Sequence, residues 1–316
     1  IPLSHSVRIL LTRLPFFDFS PGWRTAEETI ILQLRLPRVV GAALVGAALA
    51  TSGVLFQGLL RNPMADPYII GTSAGAALGA TLAMLLPISL SFLGFGIVSL
   101  TAFATALITV SLVYNLSRVG SKTPVINLLL AGFVVSALLA AVMTFIIAMG
   151  DRFGLNLRSV HSFLMGNLAV TSWQQIAVVA PLVAIGTMGA WLFTANLNAF
   201  SLGEEGASYL GVSVERQKLL ILVTASLLTA SAVAISGLVG FVGLIVPHAL
   251  RLTLGPDHRL LLPASALAGA VFLVLSDLLA RSLLAPIEIP VGVITAILGA
   301  PLFIYLLRNT QRRYHF

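Results

Sequence analysis

A chain of 316 residues in which 58% are hydrophobic and only 9% charged lies far from soluble domains, where about a quarter of residues carry charge. It has no cysteine, which excludes disulfides and thiolate metal sites, and its formal net charge of +7 comes without basic runs interleaved with aromatics, which argues against nucleic acid. A mean hydropathy of +1.02 points to a membrane as the solvent, and loop charges that set orientation account for the positive balance.

A helix needs about 20 apolar residues to cross the hydrocarbon core. Turn signals divide the chain into nine such stretches. The first covers residues 39–60 and stops at Arg61-Asn62-Pro63; the second covers 68–86 and ends at Pro87. The third and fourth cover 93–116 and 125–149, followed by a polar stretch, 151–172, with a short apolar piece inside it. The fifth covers 173–197, and 198–218 is the longest polar interval within the bundle. The sixth covers 219–235, the glycine-rich seventh 238–254, the eighth 261–284 and the ninth 291–307. The runs are continuously apolar rather than alternating, so helices are expected and a barrel is not. The fold class is an all-α polytopic membrane bundle.

Lys and Arg concentrate on alternate connections. One set holds Arg61; Arg118 and Lys122; Arg216 and Lys218; Arg251 and Arg259; and Arg308, Arg312 and Arg313. The other, past the first span, holds Arg152, Arg158 and Arg281. The first set is expected in the cytoplasm, with the C-terminus inside and residues 1–38 outside as an external segment ahead of a single transmembrane domain, 39–316. An external start without a signal peptide leads us to expect a preceding span beyond this sequence.

Gly71, Gly75 and Gly79 form a small-residue stripe that lets helices approach closely. Gly237, Gly240 and Gly243 repeat every three residues ahead of Pro247, which fits either tight packing or a broken helix beside a cavity. Ser52-Gly53 and Ser236-Gly237 occupy similar places in two spans, a weak sign of an internal repeat.

Asp277 is the one acid well inside a predicted span, and Arg281 four residues on is its expected partner. No His-Glu-x-x-His pair occurs among His5, His161, His248, His258 and His315, and no Gly-x-Ser-x-Gly elbow is present. Gly120-Ser121-Lys122-Thr123 lacks the adjacent Gly-Lys and the earlier glycine of a phosphate-cradling loop. No catalytic residue is therefore assigned, and any ATP hydrolysis is expected on another subunit.

Three stretches carry a family pattern. They are Leu34-Arg35-Leu36-Pro37-Arg38 with Gln57-Gly58-Leu59-Leu60-Arg61-Asn62-Pro63-Met64-Ala65-Asp66-Pro67; Gly203-Glu204-Glu205-Gly206-Ala207 with Leu210-Gly211-Val212 and Arg216; and Gly240-Phe241-Val242-Gly243-Leu244-Ile245-Val246-Pro247-His248 through Arg251, then Gly255-Pro256-Asp257-His258-Arg259. Together they resemble the FecCD family, the permease subunits of ABC importers for iron-siderophores, haem and vitamin B12. The resemblance implies about ten spanning helices and a pore built with a second copy of the chain. It implies two ATP-binding subunits on the cytoplasmic side, which hold the only cofactor, ATP. It also implies a periplasmic or lipoprotein substrate-binding protein outside and a bacterial or archaeal cytoplasmic membrane. Arg35, Arg38 and Arg281 are implied as sockets for carboxylates of the binding protein, since arginine pairs with carboxylates in bidentate fashion; the alternative is snorkelling to lipid phosphate. Asn62 and Met64 are implied as a cytoplasmic gate. Glu204, Glu205, Gly206, Ala207 and Gly211, within 198–218, are implied as the coupling element, Gly206 and Gly211 allowing a sharp turn. The cargo chelate is not legible. The competing expectation is an ion-coupled secondary carrier that works without an ATPase.

Overall fold

Lipid offers the backbone no hydrogen-bond partners, so apolar runs of this length satisfy their own amides as helices. A computed structural model of the chain describes residues 1–13, 22–88, 90–153, 156–170 and 172–311. Arg312 and Arg313, counted above for orientation, lie outside the described residues. The elements in order are α1 (Leu3–Leu11), α2 (Thr25–Thr29), a π-helical turn (Ile30–Arg35), α3 (Leu36–Leu59), α4 (Thr72–Leu85), β1 (Ser91–Phe92), β2 (Phe95–Gly96), α5 (Ile97–Ser117), α6 (Val125–Ala148) and α7 (Gly150–Phe153). There follow α8 (Leu157–Leu164), α9 (Trp173–Leu192), α10 (Thr194–Phe200), α11 (Glu204–Tyr209), α12 (Val214–Ser236), α13 (Val242–Leu254), α14 (His258–Ser282) and α15 (Val291–Gln311).

Each expected stretch contains a helix. Six are long and apolar enough to cross a membrane, and α4, α13 and the apolar part of α15 are shorter. The chain is a multi-pass membrane protein with the expected all-α fold. Several boundaries differ, three of them for reasons visible in the structure. The first helix begins at Thr25 rather than 39, because Gln33, Arg35 and Arg38 interrupt hydropathy without interrupting helicity. Within it the turn widens just before Pro37, where the Leu36 amide bonds to Ile31 O and Pro37 has no N–H to give. The Leu32 carbonyl so released accepts from the Trp173 indole at 2.9 Å. The second helix starts at Thr72, after Gly71 turns the chain in a left-handed conformation at φ 87°. The fifth stretch bends after Leu192 into α10, where Thr194 Oγ1 donates back to Trp191 O at 2.7 Å. A small hairpin, Ser91 opposite Gly96 and Phe92 opposite Phe95, was not anticipated.

Helices α3 and α12 form the centre and are buried on most faces, whereas α6 turns Ile126, Phe133 and Phe145 outward. Around α3 pack α9, α12, α13 and α14. Small residues make this possible: a Cβ on Gly46 would overlap the Gly269 carbonyl of α14, and one on Gly53 the Gly243 carbonyl of α13. Gly75 and Gly79 do the same against Thr109 and Thr105 of α5. The bundle thus has a basic end, near Arg61, Lys122 and Lys218, and an opposite end, near Arg38, Arg158 and Arg281.

Candidate functional site

At the basic end, α3 stops in a tight turn. Arg61 takes a left-handed conformation at φ 49°, and Asn62 Oδ1 accepts the Met64 amide at 2.9 Å. Asn62 lines a cavity of 240 Å³ with Gln57, Arg61, Ser201, Arg251 and His258, while Met64 stands exposed at the tip of the turn. The cavity floor is tied together by a knot missing from the sequence reading. Asn198 Nδ2 donates to Asp257 Oδ1 at 2.7 Å, and Asn198 Oδ1 accepts the His258 amide at 3.0 Å and lies 2.7 Å from His258 Nδ1. Bonds from the Arg259 amide and then from Asn198 hold the Asp257 carboxyl below the usual carboxylate range.

Beside this knot lies α11. Glu204 and Glu205 occupy its first turn, where acidic groups suit the positive helix end. Ala207 is fully buried, and Tyr209 is 90% exposed. The expected turn-forming pair needs correction. Gly206 is inside the helix, and the residues with left-handed backbone on either side are Gly203 at φ 94° and Gly211 at φ 83°. Lys218 of α12, expected only as one of the cytoplasmic charges, is buried. Its ammonium donates to Glu204 Oε2 at 2.7 Å, to Glu215 Oε1 at 3.1 Å and to Thr123 O at 3.0 Å.

At the opposite end, Asp277 is 1% exposed and pairs with Arg281 at 2.9 Å as expected. Arg38 approaches the same carboxylate at 3.0 Å and also donates to Glu288 Oε2 at 2.8 Å. Two of the three arginines implied as open sockets are thus already engaged within the chain, and the part played by Glu288 was not legible in the sequence. Arg35 is exposed at the end of the π-helical turn and forms no ion pair among the described residues.

Between α8 and the end of α12 is a cavity of 390 Å³ lined by Arg158, Ser159, Ser162 and Asn167 on its polar side and Met84, Phe163 and Ile235 on its apolar side. The glycine-rich stretch is the break beside it: residues 237–241 are non-helical, with Gly237 at φ 63° and Phe241 at φ 70°. The break is fixed by Leu238 N donating to Phe163 O and Ala169 N donating to Ile235 O, both at 3.0 Å. Among the described residues no group of His, Asp and Glu is arranged to hold a metal ion. A cavity thus opens at each end of the helical bundle.

Residues 3–309 match the family model described as the FecCD transport family. The cobalamin import system permease protein BtuC of Halobacterium salinarum is 46% identical over 292 residues, covering 92% of this chain and 77% of that protein. The hemin transport system permease protein HmuU of Yersinia pestis is 42% identical over 302 residues, covering 94% and 90%. Among solved structures, a chain assigned to a metal-chelate type ABC transporter in an inward-facing conformation superposes with a TM-score of 0.81 at 32% identity, covering 97% of this chain and 98% of that one.

Proposed function

Since the chain belongs to the FecCD transport family, we propose that it is the membrane-spanning permease subunit of an ATP-driven importer for a metal chelate such as cobalamin, haem or an iron-siderophore. The observation that carries this is similarity from end to end, with permeases named for cobalamin and hemin matching over nine-tenths of the chain. Two copies enclose the pathway. The basic end faces the cytoplasm and meets two ATP-binding subunits, and a substrate-binding protein delivers cargo to the opposite end. Energy enters through α11 and its flanking glycines, Asn62 and Met64 narrow the inner exit, and Arg35, with Arg38 and Arg281 beside it, receives the binding protein.

The competing carrier needs a carboxylate free to exchange a proton or sodium. Asp277 is held between two guanidinium groups, Arg38 on one carboxylate oxygen and Arg281 on the other. Reconstitution decides between them. Proteoliposomes holding the chain, its ATPase and its binding protein are expected to accumulate cyanocobalamin, haemin or a ferric siderophore only with ATP inside the assay. Accumulation by the chain alone, driven by an ion gradient, would show the carrier to be correct.

A further inference from the structure

We infer that Lys218 is a positioning residue that links the coupling segment to the inner ends of four spanning helices, and that its bond to Glu204 is the part of the link that transmits motion. This rests on the reading that α11 meets the ATPase. Lys218 is 6% exposed, and burying an ammonium is costly unless it is paired and hydrogen-bonded. It lines a small apolar pocket together with Leu59 at the end of α3, Tyr114 of α5, Val125 and Leu128 of α6, and Leu222 of α12. Among the described residues no other lysine or arginine is buried.

The three acceptors are not equivalent. Glu215 is one turn away on the same helix and is doubly used, since its second oxygen accepts the Thr123 amide at 2.8 Å. Glu215, Thr123 and Lys218 therefore form a fixed base joining α12 to the start of α6. Glu204 is the contact that crosses into α11, at 2.7 Å, and α11 hangs between left-handed glycines at 203 and 211. A displacement of α11 about those glycines has to pull on Lys218 or break that bond. Two carboxylates share one ammonium, so removing the charge of Glu204 leaves a balanced Lys218–Glu215 pair and an intact base. Removing Lys218 leaves two carboxylates facing each other.

The test uses the complete importer in proteoliposomes with cyanocobalamin, haemin and a ferric siderophore as probes, and reads cargo imported per ATP hydrolysed together with ATPase assembly and thermal unfolding. Glu204→Gln is expected to keep assembly and unfolding temperature but to lower the ratio by about tenfold, on the scale of one lost charge-assisted hydrogen bond. Lys218→Gln is expected to lower the ratio as much, and the double variant no further, because both break one link. Lys218→Arg, which keeps the charge and the reach, is expected to restore most of it. If Lys218→Gln does not fold, Glu204→Gln decides alone. An unchanged ratio in Glu204→Gln overturns the link, as does loss of ATPase binding in its place, which would make Glu204 a docking contact. A wild-type complex that imports none of cyanocobalamin, haemin and the ferric siderophore with ATP overturns the functional reading and this inference with it, whereas import by wild type with an indifferent Glu204→Gln overturns the inference alone.

Discussion

Asp66 sits in the turn between α3 and α4, where burial pushes its carboxyl from 3.8 up to about 6 in spite of the bond from the Tyr68 amide. The folded chain therefore holds this proton over a pH range in which the unfolded chain has released it. Stability from the group is gained as pH falls from above 6 towards about 4, and lost as pH rises through its folded value. Asp66→Asn keeps an oxygen for the Tyr68 amide and removes the titration. In detergent, the wild-type unfolding temperature is expected to rise between about pH 7.5 and about pH 5 relative to that of Asp66→Asn. Parallel pH profiles for the two proteins would contradict it. At this scale the sequence was least legible. Lys218 and Lys122 look alike in it, because a buried and an exposed lysine differ only in what the fold brings near them. Glu288 showed nothing of its bond to Arg38, which lies 250 positions away in the chain.

The elements were far more legible, since hydropathy and helix length report the same physics, the thickness of a hydrocarbon layer. Reading failed where another force set the boundary. Charges at 35 and 38 concealed a helix that runs through them, and the hairpin at Phe92 and Phe95 was too short to alternate. For α11, the glycines at its flanks were half recognised, Gly211 correctly and Gly206 in place of Gly203. Open space surrounds the Gly211 α-carbon, so a side chain there meets no clash and acts through backbone strain alone. Gly211→Leu is thus expected to cost roughly 1–2 kcal/mol in stability, leaving an inserted protein, while uncoupling transport from ATP hydrolysis. Normal cargo import per ATP in that variant would exclude α11 as the coupling element. The turn at Asn62 makes a second element-level case, because the Asn62 bond to the Met64 amide sets its shape. Replacing both residues with alanine is expected to raise passive leak of small solutes from loaded vesicles severalfold, and a tight seal would argue against a gate.

Across the whole molecule, charge is sorted to the two ends and the centre is closed by backbone contact between glycines, so docking and packing can be changed separately. Charge reversal at Arg35 and at Arg38 distinguishes the two roles. Arg35→Glu is expected to weaken association with the binding protein at low salt without altering unfolding, because Arg35 has no partner to lose among the described residues. Arg38→Glu removes one of two cations from buried Asp277 and is expected to cost about 2 kcal/mol of stability as well. Equal binding by Arg35→Glu and wild type, measured by co-purification, would remove Arg35 from the docking surface. One last consequence concerns the wide turn at Ile30–Arg35. The helix from Thr25 to Leu59 has 35 residues, about 52 Å of rise, well beyond the roughly 30 Å of hydrocarbon. A π-turn holds one residue more than an α-turn, so it rotates whatever precedes it by about 100° relative to an unbroken helix. Ile31 and Leu32 of that turn pack on Ile9, and Glu27 holds His5 at 3.0 Å. One inserted residue therefore fixes the compass bearing of the whole segment before it, and deleting that residue would swing α1 and its ion pairs to another side of the bundle while the helix stayed almost as long.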